Sequence, residues 1–212
     1  MLRKLLSTLT ASLAGRGAPA EGGVDGTAEV HRVRGFEVLV ENSRPDIATA
    51  DVLARLDEAL ALIERYQPWR LRHLRRDLRR FWVVRYACRG AYFPATRTCM
   101  TELTFLARRD ITAAPVASSI VHEGVHARVH RMGVRAESRD AAREERLCRR
   151  AELAFGEALP PALGAPVVER AHASLALADQ DVAPAIDWAE AARRTEAADA
   201  AALGARSPRA EG

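Results

Sequence analysis

His122-Glu123-Gly124-Val125-His126 sets two imidazoles and a carboxylate at H-E-x-x-H spacing. On a helix, residues four apart share one face about 6 Å apart along the axis, at roughly 1.5 Å of rise per residue. Both side chains can then reach one Zn²⁺ at roughly 2.0–2.1 Å. Glu123 projects from beside the first His, close enough to take a proton from water activated at that ion. Ile120, Val121, Val125 and Val129 surround the motif with apolar residues, so the local pattern predicts a helix.

A catalytic zinc takes three protein ligands and keeps one position for water or substrate. His130 would stand roughly 12 Å along the axis from His122, too far to share its ion. Val129 and Met132 stand where the metzincin pattern needs a Gly and a third His, so that pattern fails. The remaining candidates are Glu144 and Glu145, in Arg143-Glu144-Glu145-Arg146-Leu147-Cys148. Eighteen residues lie between His126 and Glu145. Such a spacing lets the motif helix end, the chain reverse, and a second helix present a carboxylate to the same ion. Leu147, Cys148, Ala151, Ala154 and Phe155 mark the inward side of that second helix. Glu145 lies on its margin, which favours Glu145 over Glu144; solvated pairing of both with nearby arginines is the bland alternative.

H-E-x-x-H-x18-E resembles the arrangement of gluzincin-type zinc metalloproteases, over about thirty residues from Ser118 to Glu152. The resemblance implies Zn²⁺ held by His122, His126 and Glu145, with Glu123 as general base and a peptide or protein substrate. It also implies an α+β fold: a small zincin-like domain with a short mixed or antiparallel sheet packed on the motif helix and followed by helices. Relatives of that kind often place an Asp four residues after the ligand Glu to orient a His. Here Arg149 stands there, and Glu152 is the candidate substitute. By the same resemblance, Thr98–Leu106 is expected at the sheet edge beside the motif helix, taking peptide through backbone groups. Tyr86, Tyr92, His172 or an Arg would stabilise an oxyanion.

The elements that must position these residues follow from hydrophobic periodicity. Val30 to Val40 alternates and reads as a strand, and Asp51 to Tyr66 as an amphipathic helix closed by Pro68. Trp69 to Arg80 is the most basic run, with Leu71, Leu74 and Leu78 at helical spacing and arginines opposite them. Phe81–Ala87 and Thr98–Leu106 read as two strands joined by a Gly- and Pro-containing connection, which suggests an antiparallel pair with Pro94 at an edge or in the loop. Pro115 to about Met132 is the motif helix, with Gly133 as its C-cap. Asp140 to Leu159, Pro166 to Ala178 and Pro184 to Ala202 read as further helices, with a polar reversal at Arg135 to Asp140. The division expected is a flexible extension at 1–28, one domain at 29–203 and a disordered tail at 204–212.

Composition narrows the classes. With 48% hydrophobic and 28% charged residues, the 212-residue chain reads as an ordinary globular protein. The net charge of +4 rests on Arg, Lys4 being the only Lys, and reads as compositional bias rather than a nucleic-acid surface. A basic nucleic-acid-binding protein with an accidental motif is the third-ranked reading, behind a zincin-like protein that binds or regulates without proteolysis. Cys88, Cys99 and Cys148 have no C-x-x-C spacing and read as reduced thiols in a cytoplasmic protein, with a Cys88–Cys99 bridge the alternative on export. Leu5 to Leu13 is too interrupted by Ser and Thr for a good signal sequence, and no stretch approaches the ~20 apolar residues of a membrane span.

Overall fold

A computed structural model of the chain describes residues 28–133, 141–183 and 187–204. The expectations for the extension at 1–28, the reversal at 135–140 and the tail at 204–212 fall almost wholly outside those ranges.

The alternating stretch near the start is two strands, not one. β1 (Glu29–Val33) and β2 (Phe36–Glu41) pair antiparallel across a two-residue turn, Arg34-Gly35. Both turn residues have positive φ, 47° and 84°, as a tight hairpin matched to strand twist requires. Arg34 is held there by Asp57 and Glu64 of the following helix, which offsets the cost of a left-handed non-Gly residue.

That helix, α1 (Thr49–Tyr66), buries Val52, Leu56, Ala59, Leu60 and Ile63 in one stripe. α2 (Pro68–Asp77) is the basic run, with Pro68 in its first turn and Leu71 and Leu74 buried as their spacing predicts. Asp77 ends it almost fully buried beside Arg76, Arg128 and Arg131, so part of the arginine excess is neutralised internally.

β3 (Arg80–Val84), β4 (Gly90–Phe93) and β5 (Thr98–Glu102) complete a five-stranded sheet of order β1-β2-β3-β5-β4. β3 runs parallel to both β2 and β5, while β4 is antiparallel to β5. The antiparallel pairing expected between 81–87 and 98–106 is therefore overturned. Its cause is β4: the chain reaches the far edge first, turns at Pro94 to Arg97, and lays β5 into the gap beside β3. Thr98–Leu106 is accordingly an interior strand, not an edge, and its last residues coil into α3 (Leu103–Ala107). Glu102 starts that helix by accepting a hydrogen bond from the Phe105 amide. Pro94 falls in the turn, where its missing donor costs nothing.

One sheet face carries Phe36, Val38, Val40, Phe81, Val83 and Cys99 into a core shared with the helices. The other carries a smaller cluster of Leu39, Trp82, Phe93 and Met100. α4 (Ala113–Arg131) is the motif helix, begun at Thr112, whose hydroxyl accepts from the Ala114 amide. It ends before Gly133, which has φ +73° as a C-terminal cap. α5 (Ala141–Ala158) and α6 (Pro161–Leu175) pack against it. α6 starts five residues before the expected Pro166, because Pro161 suits the first helical turn as well and Pro166 is accommodated inside the helix. α7 (Asp179–Val182) and α8 (Trp188–Gly204) follow, and Asp199 of α8 is clasped by Arg44 at 2.6 Å and Arg85 at 2.9 Å. The result is α+β with a mixed sheet, and no helix among the described residues is long and apolar enough to cross a membrane.

α5 and α6 meet at Gly156 and Gly164. A Cβ on Gly164 would stand 2.2 Å from the Gly156 carbonyl oxygen, a backbone atom that cannot rotate away. Gly164→Ala is therefore expected to destabilise the protein by at least about 2 kcal/mol despite alanine's better helix propensity. Gly204→Ala, with open space around it, should stay within about 0.5 kcal/mol. Denaturant unfolding of the two variants checks this, and a neutral Gly164→Ala contradicts the close crossing.

Candidate metal centre

α4 is buried around much of its circumference, so its motif residues face protein rather than water. His122 and Glu123 are each less than a tenth exposed. The wall opposite the histidines is α5. Its buried residues, Cys148, Ala151, Glu152, Phe155 and Gly156, recur at three- and four-residue intervals and define one stripe. Continued one turn towards the N-terminus, that stripe arrives at Glu144 and Glu145, so a helix packed by Phe155 must also aim its carboxylates at α4.

The contacts follow from that register. His122 Nδ1 donates to Glu152 at 2.7 Å, and His126 Nδ1 donates to Glu144 at 2.8 Å. With both Nδ1 atoms engaged, the two Nε2 atoms turn towards each other and stand 3.2 Å apart. Glu145 straddles them, one carboxylate oxygen 3.2 Å from His126 Nε2 and the other 3.4 Å from His122 Nε2. The two glutamates that the sequence left as rivals thus divide two tasks. Glu145 faces the shared Nε2 point, and Glu144 orients a ring from behind. Glu152, the candidate that the family resemblance offered for orienting a histidine, is the partner of His122 Nδ1.

Four residues outside the expected set join the cluster. Cys148 Sγ lies 3.5 Å from His126 Nε2, and its sulfur and the two imidazoles place one ligand atom each within 4.8 Å of one another. Ser118, one turn before His122, donates to Glu152 at 2.9 Å. Arg149 donates to the same carboxylate at 2.7 Å, and Arg170 of α6 closes on its other oxygen. Ser118 and Cys148 carry a readable signal in the sequence, since they sit four before His122 and three after Glu145. Arg170 carries none, because only the α5–α6 crossing brings it there.

The donor set fits a tetrahedral zinc. Bonds of ~2.0–2.1 Å to nitrogen and oxygen put such ligand atoms ~3.3–3.4 Å apart, and a bond of ~2.3 Å to sulfur puts nitrogen and sulfur ~3.5 Å apart. The separations above match both values. Each imidazole is also backed by a carboxylate, which fixes the tautomer with the Nε2 lone pair inward.

The electrostatics of the cluster favour positive charge on the two rings. Burial works against an imidazolium, yet the carboxylates of Glu145 and Glu152 push His122 up to about 10. His126 is likewise raised, burial being outweighed by Cys148, Glu144 and Glu145. Burial opposes ionisation of Glu145 and Glu152 too, but the two histidines hold the first well below the usual carboxylate range, and His122 with Arg170 and Arg149 holds the second at about 2. Buried Glu152 and half-buried Glu144 and Glu145, set around two rings, favour protons on those rings.

Glu123 has a different environment. Burial raises its carboxyl above the ordinary value, partly offset by the two histidines. It lies against the first residue of β4: a Cβ on Gly90 would come 3.1 Å from Glu123 Oε1 and 2.9 Å from Ser119 Oγ. Gly90 is what lets the edge strand pass this close to the motif helix. Of the expected oxyanion stabilisers, Tyr92 of β4 packs on the helix side with its ring 6.0 Å from His130. Tyr86 packs against the cluster on the other sheet face, and His172 is exposed on α6, so neither shares the surroundings of the histidines. Cys88 and Cys99 are free thiols pushed up by burial, Cys88 to about 12, and Cys99 faces the helices while Cys88 packs against the other face. A cavity of about 770 Å³ is lined by other residues, among them Arg44, Arg85, Arg108 and Asp199.

No protein-family model matches the chain, and no curated protein or solved structure matches it. The centre is read from its own geometry.

Two outcomes follow. Protons held on His122 and His126 must leave when a metal binds, and their raised values mean that they are still held at neutral pH. Zinc affinity should therefore climb from about pH 6 to about pH 8 with proton release on binding, as titration calorimetry in buffers of different ionisation enthalpy would read. An affinity independent of pH contradicts the protonated cluster. Glu152→Ala, which strips His122, Ser118, Arg149 and Arg170 of a shared acceptor, should cost on the order of 3 kcal/mol in the metal-free protein. A denaturant midpoint close to that of the parent contradicts the central place of Glu152.

Proposed function

We propose that the chain is a zinc-dependent metallohydrolase acting on peptide or protein substrates, with His122, His126 and Glu145 as zinc ligands and Glu123 as general base. One observation carries the reading: two Nε2 atoms 3.2 Å apart, bracketed by a carboxylate at 3.2 and 3.4 Å, with a carboxylate behind each ring. Zn²⁺ bound there supplies Lewis acidity, polarising a carbonyl and lowering the pKa of water towards ~7.

The remaining work falls to the chain's own residues. Glu152 and Glu144 hold the imidazoles so that binding needs no rearrangement of the rings. Glu123 is adjacent in sequence to His122 but is not drawn into the Glu144–Glu145–Glu152 set, which leaves its carboxylate for proton transfer. Burial raises its basicity, which suits a group that must accept a proton from water and return it to a leaving amine. Support for a peptide substrate comes from β4. It ends the sheet at the side of α4, and Gly90 brings its backbone against Glu123. An extended segment adding to that edge would lie beside the general base. The edge role expected of Thr98–Leu106 passes to Gly90–Phe93.

Metal analysis of the purified protein should find about one zinc per chain, lost in His122→Ala and in His126→Ala. Cleavage of a broad peptide library should disappear in Glu123→Gln while zinc is retained. A parent protein that takes up no zinc removes the centre. A zinc-loaded parent that cuts nothing removes the hydrolase and leaves a metal-binding protein.

A further inference from the structure

Cys148 is fully buried on the α5 stripe, three residues after Glu145 and four before Glu152. Residues three apart on a helix lie side by side, so Cys148 and Glu145 address the same histidine pair from neighbouring positions. The Cys148 sulfur lies 3.5 Å from His126 Nε2. That is the nitrogen–sulfur separation of two ligands sharing one tetrahedral zinc, ~3.5 Å for bonds of ~2.05 and ~2.3 Å.

We propose that Cys148 is a fourth metal ligand, completing a His122–His126–Glu145–Cys148 centre in which its thiolate holds the position that a hydrolytic zinc leaves for water. The inference rests on the metal centre proposed above and concerns how that centre is regulated. A zinc with four protein ligands is closed, as structural sites are, whereas a catalytic one keeps a place open. The thiolate also brings a second negative charge beside that of Glu145. Together they neutralise the divalent ion and weaken its pull on a substrate carbonyl. Four protein ligands therefore define the resting centre, and turnover passes through exchange of Cys148 for water at that one position, which slows the parent without silencing it. A sulfur donor also biases the site towards zinc or cobalt and away from magnesium, calcium and manganese.

Cobalt substitution tests this with a readout independent of turnover. The full-length protein, stripped of metal and loaded with one equivalent of Co²⁺, should show a near-ultraviolet thiolate-to-cobalt charge-transfer band together with visible bands of tetrahedral intensity. Cys148→Ala should lose the charge-transfer band while still binding cobalt, and its zinc affinity should fall at least about tenfold. Cys148→Ser provides the same comparison if the alanine variant folds poorly. Bound cobalt with no charge-transfer band in the parent overturns the proposal and leaves the His122–His126–Glu145 centre standing. A band that persists in Cys148→Ala also overturns it, by assigning the sulfur to Cys88 or Cys99. A parent protein that binds neither cobalt nor zinc overturns the underlying metal centre instead.

Discussion

Two imidazoles inside a protein can turn their Nε2 atoms to a common point only if each Nδ1 is held elsewhere, and this chain holds both with carboxylates from a single helix. Glu144 and Glu152 lie eight residues apart on α5, a little over two turns, while His122 and His126 lie four apart on α4. The carboxylate pair therefore brackets the histidine pair, and the space between takes Glu145 and Cys148. Moving α5 along its axis by one residue would break both contacts at once. The packing that fixes its position is thus part of the site. Phe155 seats the helix in the core, and Gly156 and Gly164 let α6 come close enough for Arg170 to reach Glu152.

Burying that much charge is unfavourable unless it is compensated. Arg149 and Arg170 meet part of the requirement at Glu152, and Ser118 adds a neutral donor. The rest falls on the two rings, which hold protons against their burial. In the proposed centre a divalent cation would take the place of those protons, with Glu145 and Cys148 sharing its charge. Glu123 couples to the same two rings, but its carboxylate lies against the edge strand at Gly90. The functional reading joins that buried acid to the bracketed Nε2 pair.

Much of the wall was legible in the sequence because helical spacing is local. The i, i+4 histidines and the apolar stripes of α1, α2 and α5 follow from a 3.6-residue period, whereas Glu145 and Glu152 stood out through the gluzincin resemblance. Sheet order did not follow, because nothing local to 81–106 shows that the chain visits the far edge before the centre. Reading 98–106 as one antiparallel edge strand thus failed on a four-residue strand, Gly90–Phe93, too short for a period to register. Arg34-Gly35 leaves only a single slip in an alternating run, the core-facing residues stepping by three from Val33 to Phe36 and by two thereafter. Cys148 is buried, and its company appears only when α5 is laid against α4.

Anomalous scattering at the zinc absorption edge, from crystals of the zinc-loaded protein, tests the central claim most directly. The account predicts one strong peak per chain, within about 2.1 Å of His122 Nε2, His126 Nε2 and a Glu145 oxygen. A peak bound elsewhere, or zinc-soaked crystals with no peak and with the His122–Glu152 and His126–Glu144 contacts unchanged, would contradict it.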